Sequence, residues 1–293
     1  MRDTGCEIGP ISGGCFTAIV APDGTLMGEP LRSGEGEVIA DLDFTRIYRR
    51  KQQMSDLLET AVAAHGGWER WQELKKLTAR VSVDGGLLKA KGKAGAIADA
   101  HFTLDPHRQH VERSPFGAPG RHSVYEPERT AVVTEAGEVV EAREAPRDAF
   151  AGQNYATPWD DQHLIYFSGY AMWTYLTTPF LFKLPGFRAE EIEPWEDDGE
   201  IWRRLQVTFP ADVHSHCTEQ TVYFDAAGIL RRHDYSVDVV GGTKSANYAL
   251  EPKSFGGFVY PTQRRIYVTG PDNRPLRERV VLSIDILDIE LTR

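Results

Sequence analysis

The stretch 164–182, LIYFSGYAMWTYLTTPFLF, runs nineteen residues without a charged side chain. A run of that length leaves the chain few ways to fold. It approaches the roughly 20 apolar residues that span a bilayer. A helix apolar on every side is otherwise buried in protein. Ser168, Gly169, Thr174, Thr177, Thr178 and Pro179 interrupt the run, and Asp160 and Asp161 precede it where a membrane span would favour Lys or Arg. Burial is therefore expected, with no membrane span, and Pro179 should end or kink the helix near Thr178.

What buries it is read from the flanks. After Leu77 the sequence breaks into short β-like runs at 77–84, 98–104, 107–113, 121–126, 129–135 and 138–143. Beyond the apolar run they resume at 188–195, 200–209, 217–225, 228–240, 243–251, 257–268 and 279–290. Asp84-Gly85, Asp198-Gly199, Gly241-Gly242 and Gly256-Gly257 favour reversals between them. With few long connections, the sheet should be an antiparallel meander rather than parallel βαβ units. The expected fold is mainly β: a curved antiparallel half-barrel wrapped around the buried helix. Two short helices, one from Ser55 and one over 68–76, lead into it.

Residues 1–53 have a different character, rich in Gly and charge. Phe16–Ala21, Pro22-Asp23-Gly24 and Thr25–Met27 read as a hairpin, 37–44 as a strand and 45–53 as the start of a basic helix. The break near Met54 separates an N-terminal extension, 1–53, from a domain over 54–293.

The 293 residues carry 33 Lys+Arg against 43 Asp+Glu, a net charge of −10. That sign disfavours phosphate backbones and anionic lipid, so no nucleic-acid partner is expected. Three cysteines, Cys6, Cys15 and Cys217, make no disulfide framework. The N-terminal residues show no signal peptide, and a cytoplasmic location is expected.

The segment GGCFTAIVAPDGTLMGEPLRSGEGEVIADLDFTRIYRRKQQ within 1–53 resembles the C-terminal end of the nitrilase branch of the carbon–nitrogen hydrolases. The shared features are a Gly-Gly turn, a strand–Asp-Gly–strand hairpin, a Gly-Glu-Gly turn and an Ala-Asp-Leu-Asp strand end. That family works through a Cys, a Glu and a Lys upstream of this segment. The resemblance therefore implies a remnant without nitrile or amide hydrolysis of its own, in which Cys15 is structural. Two or three strands cannot bury a core alone. Such a remnant pairs with the rest of the chain, self-associates through its strands, or stays poorly ordered. A fusion accounts for the break at Met54.

Residues 54–293 resemble the lipoprotein-carrier half-barrels, LolA- and LolB-like. The likeness is carried by Ala63-Ala-His-Gly-Gly-Trp68, Tyr223-Phe-Asp-Ala-Ala-Gly-Ile-Leu230 and Gly257-Phe-Val-Tyr-Pro-Thr262. It implies an apolar cavity between sheet and helices, and a hydrophobic small molecule or lipid as partner.

Candidate site residues follow. Tyr166, Phe167, Tyr170, Met172, Trp173, Tyr175, Phe180 and Phe182 either fill the core or line an apolar ligand site with tyrosine hydroxyls as anchors. Asp160 and Asp161 either cap the helix or orient His163 as a general base beside that pocket. His214 and His216, on one face if the segment is a strand, are candidate metal ligands only with a third ligand from elsewhere. His101, His107 and His110 read as surface or cross-strand groups. The pairs Arg203-Arg204, Arg231-Arg232 and Arg264-Arg265 are expected at solvated or edge positions. No phosphate loop or Gly-x-Ser-x-Gly elbow occurs, and no cofactor is expected.

Overall fold

In the computed structural model the residues described are 17–20, 26–31, 38 and 56–293. The chain divides into two units, Met1–Gln52 and Gln53–Arg293. In the first, β1 (Thr17–Val20) and β2 (Leu26–Leu31) pair antiparallel, with Val20 opposite Leu26 and Thr17 opposite Leu31. The turn at 22–24, the strand expected over 37–44 and the helix over 45–53 fall, Val38 apart, outside the described residues.

The second unit opens with α1 (56–64) and α2 (Trp68–Gln72). Six strands follow, interrupted by α3 (Gly86–Ala90): β3 (Lys76–Asp84), β4 (Ile97–Leu104), β5 (Val111–Ser114), β6 (Arg121–Glu126), β7 (Arg129–Thr134) and β8 (Val139–Glu144). Then comes α4 (Asp161–Thr177), with a 3-10 turn before it at Pro146–Phe150 and another after it at Phe180–Lys183. Seven more strands complete the unit: β9 (Arg188–Asp197), β10 (Glu200–Thr208), β11 (Glu219–Phe224), β12 (Leu230–Val237), β13 (Thr243–Phe255), β14 (Phe258–Thr269) and β15 (Pro275–Thr292).

All thirteen strands join one antiparallel sheet in the order β8-β7-β6-β5-β4-β3-β15-β14-β13-β12-β11-β10-β9. Every neighbour is a sequence neighbour except one. The pair β3–β15, with Leu77 opposite Leu291, fuses the two meanders into a single open, curved half-barrel. Two-residue turns set the register locally. Asp198 (φ 49) and Gly199 (φ 85) reverse the chain between β9 and β10, and Gly256 (φ 55) and Gly257 (φ 84) between β13 and β14. Two successive positive φ values match the right-handed strand twist. The expected strand over 107–113 is shortened to β5, because the Asp105 carboxylate accepts from the His107 N–H and holds 105–110 in a turn.

Every residue of α4 from Gln162 to Thr177 is buried. The helix lies against β5, β6 and β7. The core continues along it to Phe180, which stacks on Trp71 at 4.2 Å between ring centres. Thr178 is extended and ends the helix, with Pro179 next, as the sequence predicts. Among the described residues no helix is long and apolar enough to cross a membrane.

Candidate functional site

The start of α4 is built by a reciprocal cap. The Asp160 carboxylate accepts from the His163 backbone N–H at 2.9 Å, and His163 Nδ1 receives the Asp160 N–H at 3.3 Å. His163 Nε2 sits between the Gln153 amide (2.7 Å) and the Ala149 carbonyl (3.1 Å). Both ring nitrogens thus have protein partners, which is the geometry of a cap. Burial raises the Asp160 pKa, but hydrogen bonds from Arg143 and the His163 backbone outweigh it and hold the carboxyl at about 2. Asp161 is bound to Lys93 Nζ at 2.6 Å.

The aromatic residues of α4 divide by what they meet. The Tyr166 hydroxyl accepts from Arg147 Nη1 at 3.1 Å and can donate to His214 Nδ1 at 3.0 Å. One turn on, the Tyr170 hydroxyl pairs with His216 Nδ1 (3.1 Å). The Tyr175 hydroxyl pairs with His216 Nε2 (2.7 Å) and with the Tyr235 hydroxyl (2.5 Å). Trp173 Nε1 donates to the Asp105 carbonyl. Phe182 packs on Phe187 and Phe209. The segment 214–216 is a loop, not a strand. It turns its two imidazoles onto tyrosine hydroxyls, and among the described residues no cluster of His, Cys, Asp and Glu is placed to hold a metal. Burial, reinforced by the positive charge of Arg147, lowers the His216 pKa to about 3, so its ring is neutral.

Beyond Tyr235 the interior becomes polar without being satisfied. His233 lies opposite Asn247 across β12 and β13, and Arg264 is on β14. All three are buried. Both ring nitrogens of His233, and Nε and Nη1 of Arg264, have no hydrogen-bond partner among the described residues. Arg264 Nη2 donates to the Tyr175 carbonyl at 3.0 Å, and its guanidinium lies over the Tyr175 ring at 4.8 Å. Burial lowers the Arg264 pKa to about 10 and that of His233 well below its ordinary value.

The expectation that the arginine pairs sit at solvated or edge positions is overturned for Arg264 (1% exposed) and Arg232 (0% exposed). Arg264 is buried where its guanidinium covers the Tyr175 ring of α4, whereas Arg232 is sealed among the rings of Trp195, Tyr223 and Tyr248 with Asp234 as its ion-pair partner. On the sheet face of Trp202, Tyr223 and Tyr248, Arg232 donates from Nε and Nη2 to Asp234 and from Nη1 to the Tyr248 hydroxyl.

Three spaces adjoin these elements. A void of about 30 Å³ lies beside α4, lined by Phe167, Met172 and Tyr175 with Val83, Leu88, Ile97, Phe102, Leu282 and Ile284. A cleft of about 230 Å³ contains Arg147, His214 and Cys217. A larger one, about 670 Å³, lies between the 95–99 and 115–119 segments, with Arg113, Asp161 and Leu164 among its lining residues. Of the eight aromatic-set residues expected to line a ligand site, Phe167, Met172 and Tyr175 border the apolar void.

No protein-family model matches the chain. Among curated proteins, a nitrilase ("Nitrilase 3") from an unknown prokaryotic organism is 80% identical over 54 residues, 18% of this chain and 16% of that protein. A nitrilase of Paraburkholderia phymatum is 53% identical over 47 residues, 16% of this chain and 14% of its own length. The chain thus spans less than a fifth of the curated relatives it matches. Among solved structures, a domain assigned to outer membrane lipoprotein sorting, from Vibrio parahaemolyticus, is similar with a TM-score of 0.48 and 11% identity, covering 82% of this chain and 93% of that one. A LolA superfamily protein of Nitrosomonas europaea is similar with a TM-score of 0.45 and 10% identity, covering 82% of this chain and 94% of its own. The short nitrilase-like segment read from the sequence meets counterparts here.

Proposed function

We propose that the half-barrel unit binds a hydrophobic small molecule between α4 and the sheet. The observation that carries this reading is the apolar void beside α4, lined by hydrophobic side chains of α3, α4, β3, β4 and β15. At about 30 Å³ it holds roughly one water, whereas small-molecule sites are commonly about 300–1,000 Å³. Ligand entry therefore requires its walls to move. Met172, unbranched and readily re-packed, is the wall best suited to do so. Arg264, whose Nε and Nη1 are buried without a partner among the described residues, packs on the Tyr175 that forms one wall of this void, and a polar atom arriving there relieves that cost.

Titration of the purified protein with N-phenyl-1-naphthylamine, an uncharged fluorescent probe, tests this. Native mass spectrometry of fresh protein for a co-purified apolar molecule accompanies it. Saturable fluorescence is expected for the unmodified chain, and its loss in Ala171→Leu, which fills the void. Fluorescence that never saturates, or saturates equally in the folded variant, removes the proposal.

A further inference from the structure

Arg113 projects from β5 with 3% of its surface exposed, and its Nε and Nη1 are buried without a hydrogen-bond partner among the described residues. No ion pair to it occurs among the described residues. The guanidinium is held against rings instead, 4.3 Å from the centre of Phe116 and 6.0 Å from that of Phe102. A buried cation in that state is costly, and cores carry one only where something offsets it.

Arg113 lines the cleft of about 670 Å³, a volume within the usual range for small-molecule sites. The other walls are largely apolar, with Phe116, Pro119, Ala98 and Leu164 among them. Two carboxylates also reach the cleft, and each already has its own cation. Asp99 is gripped by Arg80 through Nε and Nη2 at 2.8 and 2.7 Å, and Asp161 by Lys93. Three cations against two anions leave one positive charge, and Arg113 is the member without a partner. Burial lowers its pKa to about 9, the Asp161 charge opposing, so it stays charged at neutral pH.

We propose that this cleft binds a small organic acid, its carboxylate on the Arg113 guanidinium and its apolar body against Phe116, Pro119 and Leu164. A planar carboxylate matches the guanidinium fork through two parallel hydrogen bonds. A monoanion neutralises the single excess charge. Inorganic phosphate would bring a second charge towards Asp99 and Asp161 and leave the apolar walls uncovered.

Isothermal titration of the full chain with octanoate, octan-1-ol and inorganic phosphate tests this. Octanoate should bind saturably, with the alcohol and phosphate at least about tenfold weaker, as expected when a charge-assisted pair is lost. Arg113→Met should lose octanoate binding. Ala98→Trp, made at an exposed position, should lose it too by occupying the cleft while leaving Arg113 in place. The void-filling Ala171→Leu should keep it, which separates this site from the one beside α4. Equal binding of octanol or phosphate, retention in Arg113→Met or Ala98→Trp, or no saturable heat with octanoate overturns the proposal.

Discussion

His216 and His233 are imidazoles held neutral inside the protein, and that fixes how stability must respond to acid. In the unfolded chain each takes a proton near pH 6.5, while the folded pKa of His216 is about 3 and that of His233 is also far below its ordinary value. Above pH 6.5 neither state is charged at these sites, and the stability they permit is fully present. As pH falls below 6.5 the unfolded state binds protons that the folded state refuses, so stability declines until the folded pKa is reached. The slope is about 1.4 kcal/mol per pH unit for each histidine. Asp160, depressed to about 2, acts in a separate window: its contribution is present above pH 3.8 and lost between there and pH 2. Its side chain is 46% exposed, so solvent screening keeps that term small. The melting temperature followed by circular dichroism should therefore fall steadily from pH 7 to pH 4.5. His216→Phe should start lower, with Tyr170 and Tyr175 deprived of their partner, and should fall less steeply. A melting temperature flat across that range would show that these rings are not buried as described.

At the scale of elements, the seating of α4 depends on one absent side chain. A Cβ placed on Gly169 would lie 2.5 Å from Tyr125 Cβ and 2.7 Å from its Cδ1, so the helix meets β6 where only glycine fits. Alanine in a helix interior is ordinarily better than glycine by about 1 kcal/mol. Here the overlap with a buried ring reverses the sign, and Gly169→Ala should destabilise by about 2–3 kcal/mol in urea unfolding. A stabilised variant would contradict this packing. The helix was legible in the sequence because nineteen uncharged residues admit little else, and the strands because alternation and turn dipeptides mark them. Three of the four marked reversals connect consecutive strands; the fourth, Asp84-Gly85, opens α3 instead, since Leu87 and Leu88 are drawn into the core. The site was less legible. Tyr166 and His214 are 48 positions apart, and Tyr175 and Tyr235 are 60. No local spacing encodes such pairs. Arg113 carries no sequence mark at all: a lone arginine in a strand becomes unusual only once its surroundings prove apolar.

Across the whole molecule, the pairing that local sequence could not reveal is β3 with β15, which ties the first strand of the half-barrel to its last. Strands so far apart in sequence bring loop-closure entropy that must be met before their contacts form, and this slows folding without weakening the product. Among the described residues closure uses residues from Lys75 onward, and α1 and α2 add Leu57, Ala61, Val62 and Trp71 to the same core. Among the described residues, the half-barrel's hydrophobic core is drawn from its own sequence, a physical condition for independent folding. The β1–β2 ribbon does not meet it, since two strands alone are marginal in water. We propose that the first 53 residues are a nitrilase-derived extension and that a chain beginning at Met54 is the folding unit. Such a chain should melt cooperatively within a few degrees of the full-length protein, because a loss of about 1 kcal/mol would shift a domain of this size by roughly 2–4 °C. Sedimentation of both chains tests the companion idea, that the extension self-associates through its strands. The full chain should then be the larger species and the Met54 chain a monomer. A Met54 chain that fails to fold would place essential core contacts in the extension and undo the division.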